Sequence, residues 1–299
     1  MERKNFVIIG AAKAGTTSLY DYLVQHPQIY MPGKETNFFC QGNFKKYNCQ
    51  PDSLKVSIID EYKSLFKGAS KEIAIGEICP AYMHEPEIAE HIFHYIPNAK
   101  IIAILRHPVD RAYSNFLHCR LLGWETATDF AKALENEEKN YIPNHKKPEY
   151  KVYDYFMYYY KSYGFYYEKL KPYFDRFDKS QIKVYLMEDL HRSPHALLKD
   201  LLEFLGVDSS FNIDVSVKSN VSGIPKNKFL SALAFRKNPI KSILRPLIPK
   251  KLRNDLKRQV VTKQQLSREL RQNLLQEYRE DILKLQDLIE QDLSKWLKE

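Results

Sequence analysis

Several features that would assign this chain to a class at once are scarce or missing. It has four cysteines in 299 residues, Cys40, Cys49, Cys79 and Cys119. None follows a C-x-x-C spacing and none is matched by a His pair. That speaks against a zinc site or a disulfide framework, and for reduced thiols of a cytosolic protein. No apolar run approaches the roughly 18 residues that a membrane-spanning helix needs. The first strand pattern begins near residue 5, which leaves no room for a secretory leader. The expectation is therefore a cytoplasmic protein with no transmembrane segment. No internal repeat and no linker-like stretch divides the chain. Residues 1–299 are read as a single domain, with a helix-rich insertion at about 125–175 and a basic C-terminal extension at about 226–299.

One further absence is chemical. Phe6–Ile9 reads as a buried strand that runs into a small-residue loop, Gly10–Gly15, and then into a helical pattern beginning at Thr16-Thr17-Ser18. Two glycines let the backbone turn back over a ligand. The amides at the start of the helix, with its dipole, make an anion site. A Walker A loop would place Lys after the second glycine, but here that position is Thr16 and the lysine lies inside the loop, at Lys13. NTPases use the Walker lysine on the β/γ-phosphates and a Ser or Thr on Mg²⁺. The displaced lysine points to a different anionic group and no obligatory metal.

What is present fits an ordinary globular chain, with 44% hydrophobic and 28% charged residues. The net charge is +9, and the stretch 226–258 holds eleven Lys or Arg against one acid, Asp255. Such a surface attracts phosphates, sulfates, acidic glycans, nucleic acid or anionic lipid, and charge alone does not choose among them. Many of the 21 tyrosines cluster between Tyr141 and Tyr173, where they line a pocket or simply pack.

The apolar runs alternate with helical patterns. Glu72–Glu77 reads as a short strand stopping at a charge, Lys100–Leu105 as the strongest strand, and Gln181–Met187 as another. Helical patterns cover Glu87–Ile96, Asp110–Leu122, Ser193–Leu205 and Ser267–Leu297. Alternation of this kind predicts an α/β, P-loop-like three-layer fold with a central parallel sheet flanked by helices. Arg106 then stands just past the carboxyl edge of a central strand, where ligands bind in open α/β sheets. Ser114 lies about one turn into the next helix. An Arg fork with a hydroxyl suits a second phosphate. The plainer alternative pairs Arg106 with Asp110 as a helix cap.

Two motifs, Lys13-Ala-Gly-Thr-Thr-Ser-Leu19 and Leu105-Arg-His-Pro-Val-Asp-Arg-Ala-Tyr-Ser114, together resemble those of the PAPS-dependent sulfotransferases (PAPS is 3′-phosphoadenosine 5′-phosphosulfate), in particular the bacterial branch similar to heparan-sulfate (carbohydrate) sulfotransferases. Lys34-Glu-Thr-Asn-Phe-Phe39, Gly76-Glu-Ile-Cys-Pro-Ala-Tyr82, Glu188-Asp-Leu190, Glu203-Phe-Leu-Gly206 and Asn220-Val-Ser-Gly-Ile-Pro-Lys226 extend the resemblance over nearly the whole chain. It implies a sulfotransferase of the EC 2.8.2 class, with PAPS as co-substrate, adenosine 3′,5′-bisphosphate as product and no metal. It also implies that Lys13, Ala14, Gly15, Thr16, Thr17 and Ser18 hold the 5′-phosphosulfate, that Arg106 and Ser114 hold the 3′-phosphate, and that Gly223 and Lys226 close over the nucleotide. Glu77 would be the general base, with Lys34 and Lys13 beside it in the active site.

Sulfuryl transfer needs a group that takes the nucleophile's proton and cations that receive charge on the leaving oxygen. A carboxylate at the end of a buried strand would be partly desolvated and so a better base. His26, His84, His107 and His118 are alternative bases, His84 first because it is near Glu77. Ile78 and Asn37 depart from the glycan-modifying pattern, which has Lys after the base and often His before the Phe pair. Both positions face the acceptor side in that family. The expected acceptor is a carbohydrate or small molecule, with nucleic acid excluded and the oligomeric state open. The runner-up is a P-loop kinase or NTPase-like nucleotide-binding protein.

Overall fold

The computed structural model describes residues 4–33, 35–40, 59–139, 157–216, 224–225, 261–262 and 265–298. Its centre is a five-stranded parallel sheet, four strands of which are built from the predicted apolar runs. Strand β1 is Phe6–Gly10, β2 Ile29–Tyr30, β3 Ala74–Ile78, β4 Lys100–Leu105 and β5 Ile182–Leu186. Their order is β2-β3-β1-β4-β5. Every pairing is parallel. The strands are buried on both faces because their side chains alternate between two cores. Val7, Ile9, Ile101, Ala103 and Leu105 enter one core. Phe6, Ile8, Ile102 and Ile104 enter the other. Gly76 is required by packing: a Cβ there would lie 2.4 Å from the carbonyl oxygen of Phe6.

Helix α1 (Thr16–Leu23) covers the second core through Leu19 and Leu23. The long apolar face of Pro194–Leu205 joins it there. That helix stops, as its sequence predicts, at Gly206, which adopts φ +80° and closes the last turn with hydrogen bonds to Leu202 and Glu203. The first core is covered by Glu87–Tyr95, by Pro108–Leu122 and by a C-terminal helix, Arg268–Ile289. Expectation and structure differ here: the terminal helix ends at Glu290, in a left-handed conformation, and the remainder folds back as a short turn at Ser294–Leu297. The turn buries Trp296.

The tyrosine-rich stretch is core where it is described. Tyr158, Tyr160, Tyr163, Tyr166 and Tyr173 are all buried, each ring giving apolar area while its hydroxyl finds a partner. Cys40, Cys79 and Cys119 are buried. Among the described residues no helix is long and apolar enough to cross a membrane. The basic stretch 226–258 lies outside the described residues.

Because β1 is central, the chain leaves it first toward β3 and then toward β4. The carboxyl ends of β3, β1 and β4 therefore lie side by side at a topological switch point, where open α/β sheets bind ligands.

Candidate active site

The end of β1 and the start of the loop after it are held by the neighbouring strands. Ala11 N–H donates to Ile104 O on β4 at 2.7 Å, and Cys79 N–H, just past β3, donates to Ile8 O at 2.9 Å. Lys13 adopts φ +70° and Gly15 φ +98°, so the loop turns through two left-handed residues. Non-glycine residues reach that region at a cost, and such strain clusters where ligands bind. Gly15 caps α1 without a side-chain hydrogen bond. The amides of Thr16, Thr17 and Ser18 therefore sit in a first turn that has no intrahelical acceptors for them. Beneath Gly15, Leu190 and Ile104 supply the floor, within 3.4 and 3.8 Å of where its Cβ would be. Ala14 is fully buried.

Lys13 is half-buried. Burial, the larger effect, brings its ammonium down to about 8; Cys119 and Glu35 oppose this, and Arg106 and Arg111 add to it. Its carbonyl oxygen accepts a hydrogen bond from Arg106 Nη1 at 3.3 Å. The two motifs, 93 residues apart, thus meet directly. The backbone of Arg106 is fixed from two sides. Tyr166 Oη donates to its carbonyl at 2.9 Å. The following amide, His107 N–H, donates to Glu188 Oε1 at 3.3 Å. Ser114 is buried on the second turn of the helix that follows.

The alternative pairing of Arg106 with Asp110 is not what the structure shows. Asp110 receives both of its side-chain hydrogen bonds from Arg271, on the C-terminal helix, at 2.5 and 3.3 Å.

Glu77 corrects a sequence expectation. It neither ends its strand nor is only partly desolvated. It lies inside β3, opposite Val7, and is fully buried. Val7, Ile9 and Glu77 share one face of the sheet, so strand alternation turns the carboxylate inward. A buried carboxylate must be paired, and this one is paired with Lys4. Lys4 Nζ lies 2.5 Å from Oε1, over the rings of Phe39 and Tyr62 at 5.0 and 4.9 Å. Burial pulls the Lys4 ammonium down, and Glu77 pushes it back up. Tyr62 Oη donates to Oε1 at 2.5 Å and Tyr82 Oη at 3.2 Å, while Thr36 Oγ1 donates to Oε2 at 2.5 Å. Sequence reasoning missed Lys4, Thr36, Tyr62 and Tyr82. Thr36 and Tyr82 sat inside motifs already singled out, but Lys4 precedes the first strand and belongs to none of them.

Tyr163 also joins the two sides of the site. Its hydroxyl donates to Pro80 O, just beyond β3, and accepts from Ala12 N–H in the loop at 3.5 Å. The fully buried Arg111 lies 4.9 Å from the Tyr163 ring centre and donates to Tyr160 O.

The remaining candidates divide. Lys34, Gly223 and Lys226 fall outside the described residues. Ile78 points into the core on the opposite face from Glu77. Asn37 is buried at φ +56°, accepting from Cys79 Sγ at 3.1 Å. His26 is a strut, with Nε2 to Asp208 O at 2.9 Å and Nδ1 accepting from Gln28 N–H at 3.1 Å. His107 Nε2 meets Trp296 O at 3.1 Å. His84 hydrogen-bonds Glu85 at 2.9 Å. Burial pushes His84 and His118 below the usual imidazole range, with Lys13 adding to the effect on His118. No group of three or more His, Cys, Asp or Glu suited to a metal ion occurs among the described residues.

The sequence model described as "Sulfotransferase domain" matches residues 3–264. A membrane-associated sulfotransferase, kil1, of Dictyostelium discoideum is 35% identical over 112 residues, 38% of this chain and 22% of that protein. The human bifunctional heparan sulfate N-deacetylase/N-sulfotransferase 3 is 34% identical over 123 residues, 38% of this chain and 13% of its own length. The chain thus matches less than a quarter of either relative. Among solved structures, the sulfotransferase from Alicyclobacillus acidocaldarius superposes with a TM-score of 0.70 at 30% identity, covering 98% of both chains.

Proposed function

Because this chain belongs to the sulfotransferase domain family, we propose that it transfers a sulfuryl group from PAPS to a hydroxyl or amine of a carbohydrate or small-molecule acceptor. The product would be adenosine 3′,5′-bisphosphate. The observation that carries this reading is the contact of Arg106 with the Lys13 carbonyl. It sets the amide-rich loop after β1 and the Arg106 guanidinium after β4 side by side at the ends of adjacent strands, an arrangement suited to one ligand with anionic groups at two ends. In this reading Lys13 and the amides and hydroxyls from Ala14 to Ser18 hold the 5′-phosphosulfate. Arg106 and Ser114 hold the 3′-phosphate, and Gly223 and Lys226 close over the nucleotide. PAPS supplies an activated sulfuryl group with a good leaving phosphate.

Glu77 is the proposed base, with Lys34 as its companion. Lys4 lies against Glu77 as its counter-charge. The Thr36 hydroxyl, now donating to Oε2, holds the place that an acceptor hydroxyl takes. Lys13 balances charge on the departing phosphate. That the human relative's name carries heparan sulfate favours a carbohydrate acceptor.

Calorimetry tests the donor. Adenosine 3′,5′-bisphosphate is expected to bind without Mg²⁺ and more tightly than ATP. Tighter binding of ATP with Mg²⁺ would replace this reading with a kinase or NTPase. Transfer of labelled sulfate from PAPS to a member of a glycan and small-molecule panel tests the acceptor.

The Lys13 ammonium, brought down to about 8, gives a pH signature. A cation is fully present below that value and is lost as pH rises through it. Bisphosphate affinity is expected to fall about tenfold between pH 7 and 9. Lys13→Arg, whose charge persists, should flatten the profile. Equal slopes in both proteins would remove Lys13 from the anion site.

A further inference from the structure

Four residues after Arg106 stands a carboxylate, Asp110, on the first turn of the following helix. A free carboxylate at that spacing competes with any phosphate for the guanidinium. Arg106 is partly desolvated and feels both Asp110 and Glu188, which makes the competition stronger than it would be in water. Yet neither carboxylate hydrogen-bonds Arg106. Glu188 is engaged by the His107 amide at 3.3 Å. Asp110 is engaged through both oxygens, at 2.5 and 3.3 Å, by Arg271, 161 residues away. Two parallel N–H···O bonds of this kind are the strong, orienting form of an Arg–carboxylate pair.

We propose that Arg271 is a positioning residue for nucleotide binding: by claiming both oxygens of Asp110 it leaves the Arg106 guanidinium available to the 3′-phosphate. The proposal rests on the reading of Arg106 given above. It goes beyond the family pattern, because Arg271 lies outside the matched residues 3–264. A second contact from the same end of the chain acts on the same loop: Trp296 O takes the hydrogen bond of His107 Nε2 at 3.1 Å. The polar side chains of His107 and Asp110 are thus both drawn toward the C-terminal helix and its turn, away from Arg106. Burial alone would push the Asp110 carboxyl up, but Arg271, with His107 and Arg106, holds it below its ordinary value, as expected of a carboxylate committed to a cation.

The test is a double-mutant cycle read by calorimetry with adenosine 3′,5′-bisphosphate, on Arg271→Ala, Asp110→Asn and the pair together. With Arg271 gone, Asp110 turns to Arg106, and affinity is expected to drop about tenfold. Removing the competing charge in the double variant is expected to restore affinity to within about twofold of the parent. In turnover assays the same loss should appear as a raised KM for PAPS with kcat kept at saturation. Unchanged affinity in Arg271→Ala, or a double variant as weak as the single, overturns the proposal. The second result would mark Arg271 as a docking contact of the helix only, with a lowered Tm in both variants. Arg106→Ala run in parallel separates the two levels. If it binds normally, the reading of Arg106 falls and this inference with it. If it binds weakly while the cycle is flat, only this inference falls.

Discussion

Glu77→Gln is expected to lose roughly 10²-fold or more in turnover while keeping its affinity for adenosine 3′,5′-bisphosphate. A general base contributes on that scale, and Gln keeps the shape but cannot take the proton. Because Glu77 is paired and fully buried, the variant carries a second consequence. It leaves the Lys4 ammonium among Phe39, Tyr62 and Phe66 without its counter-charge. Removing one partner of a buried pair typically costs about 3–5 kcal/mol, whereas replacing both with apolar groups is often neutral. Thermal unfolding of Glu77→Gln should therefore fall clearly, and Lys4→Met combined with Glu77→Gln should recover most of that stability. The double variant should recover no turnover. That separation matters, since a merely structural Glu77 would give back activity together with stability. Parent-like turnover in Glu77→Gln would remove it as the base.

The second large effect concerns Arg106. Arg106→Ala should weaken bisphosphate binding by about 1.5–3 kcal/mol, the range of a hydrogen bond to a charged group, or roughly 10- to 150-fold. The loss should be confined to ligands that carry a 3′-phosphate. A nucleotide with only a 5′-phosphate, such as AMP, should bind both proteins alike, apart from a small change from the lost contact to the Lys13 carbonyl. Equal weakening toward AMP would mean that Arg106 serves the loop and not the phosphate. No weakening at all would leave it a structural residue at the head of its helix.

The two residues differ in how far the sequence could describe them. Arg106 follows an uninterrupted apolar run, so both its strand and its place at the sheet's edge were readable, and Lys100–Leu105 is the observed strand. Glu77 was placed on the correct strand but with the wrong surroundings. A short run ending in a charge reads as a strand end, while the structure continues β3 to Ile78 and folds Pro80–Met83 over it. Its partners come from four separate places, Lys4, Thr36, Tyr62 and Tyr82, and no periodicity links them. The two-residue strand Ile29–Tyr30 escaped for a related reason. It is too short to show alternation, and it exists because β3 offers it a ladder.

By itself, then, the sequence determined the sheet's main strands, the helices that cover them and the glycine-bounded loop with its inward lysine. Each of these follows from local rules: apolar runs that must be buried, helical periods, and backbone turns that glycine permits. Only the tertiary structure decided which charges are spoken for. Lys4 meets Glu77 across 73 residues, and Arg271 meets Asp110 across 161. Such pairs form because folding removes water from both partners at once and each buried charge then needs its complement. That requirement arises only where the chain comes together, and it decides here that Asp110 is hydrogen-bonded by Arg271 and not by Arg106, while Glu77 is held deep in the sheet.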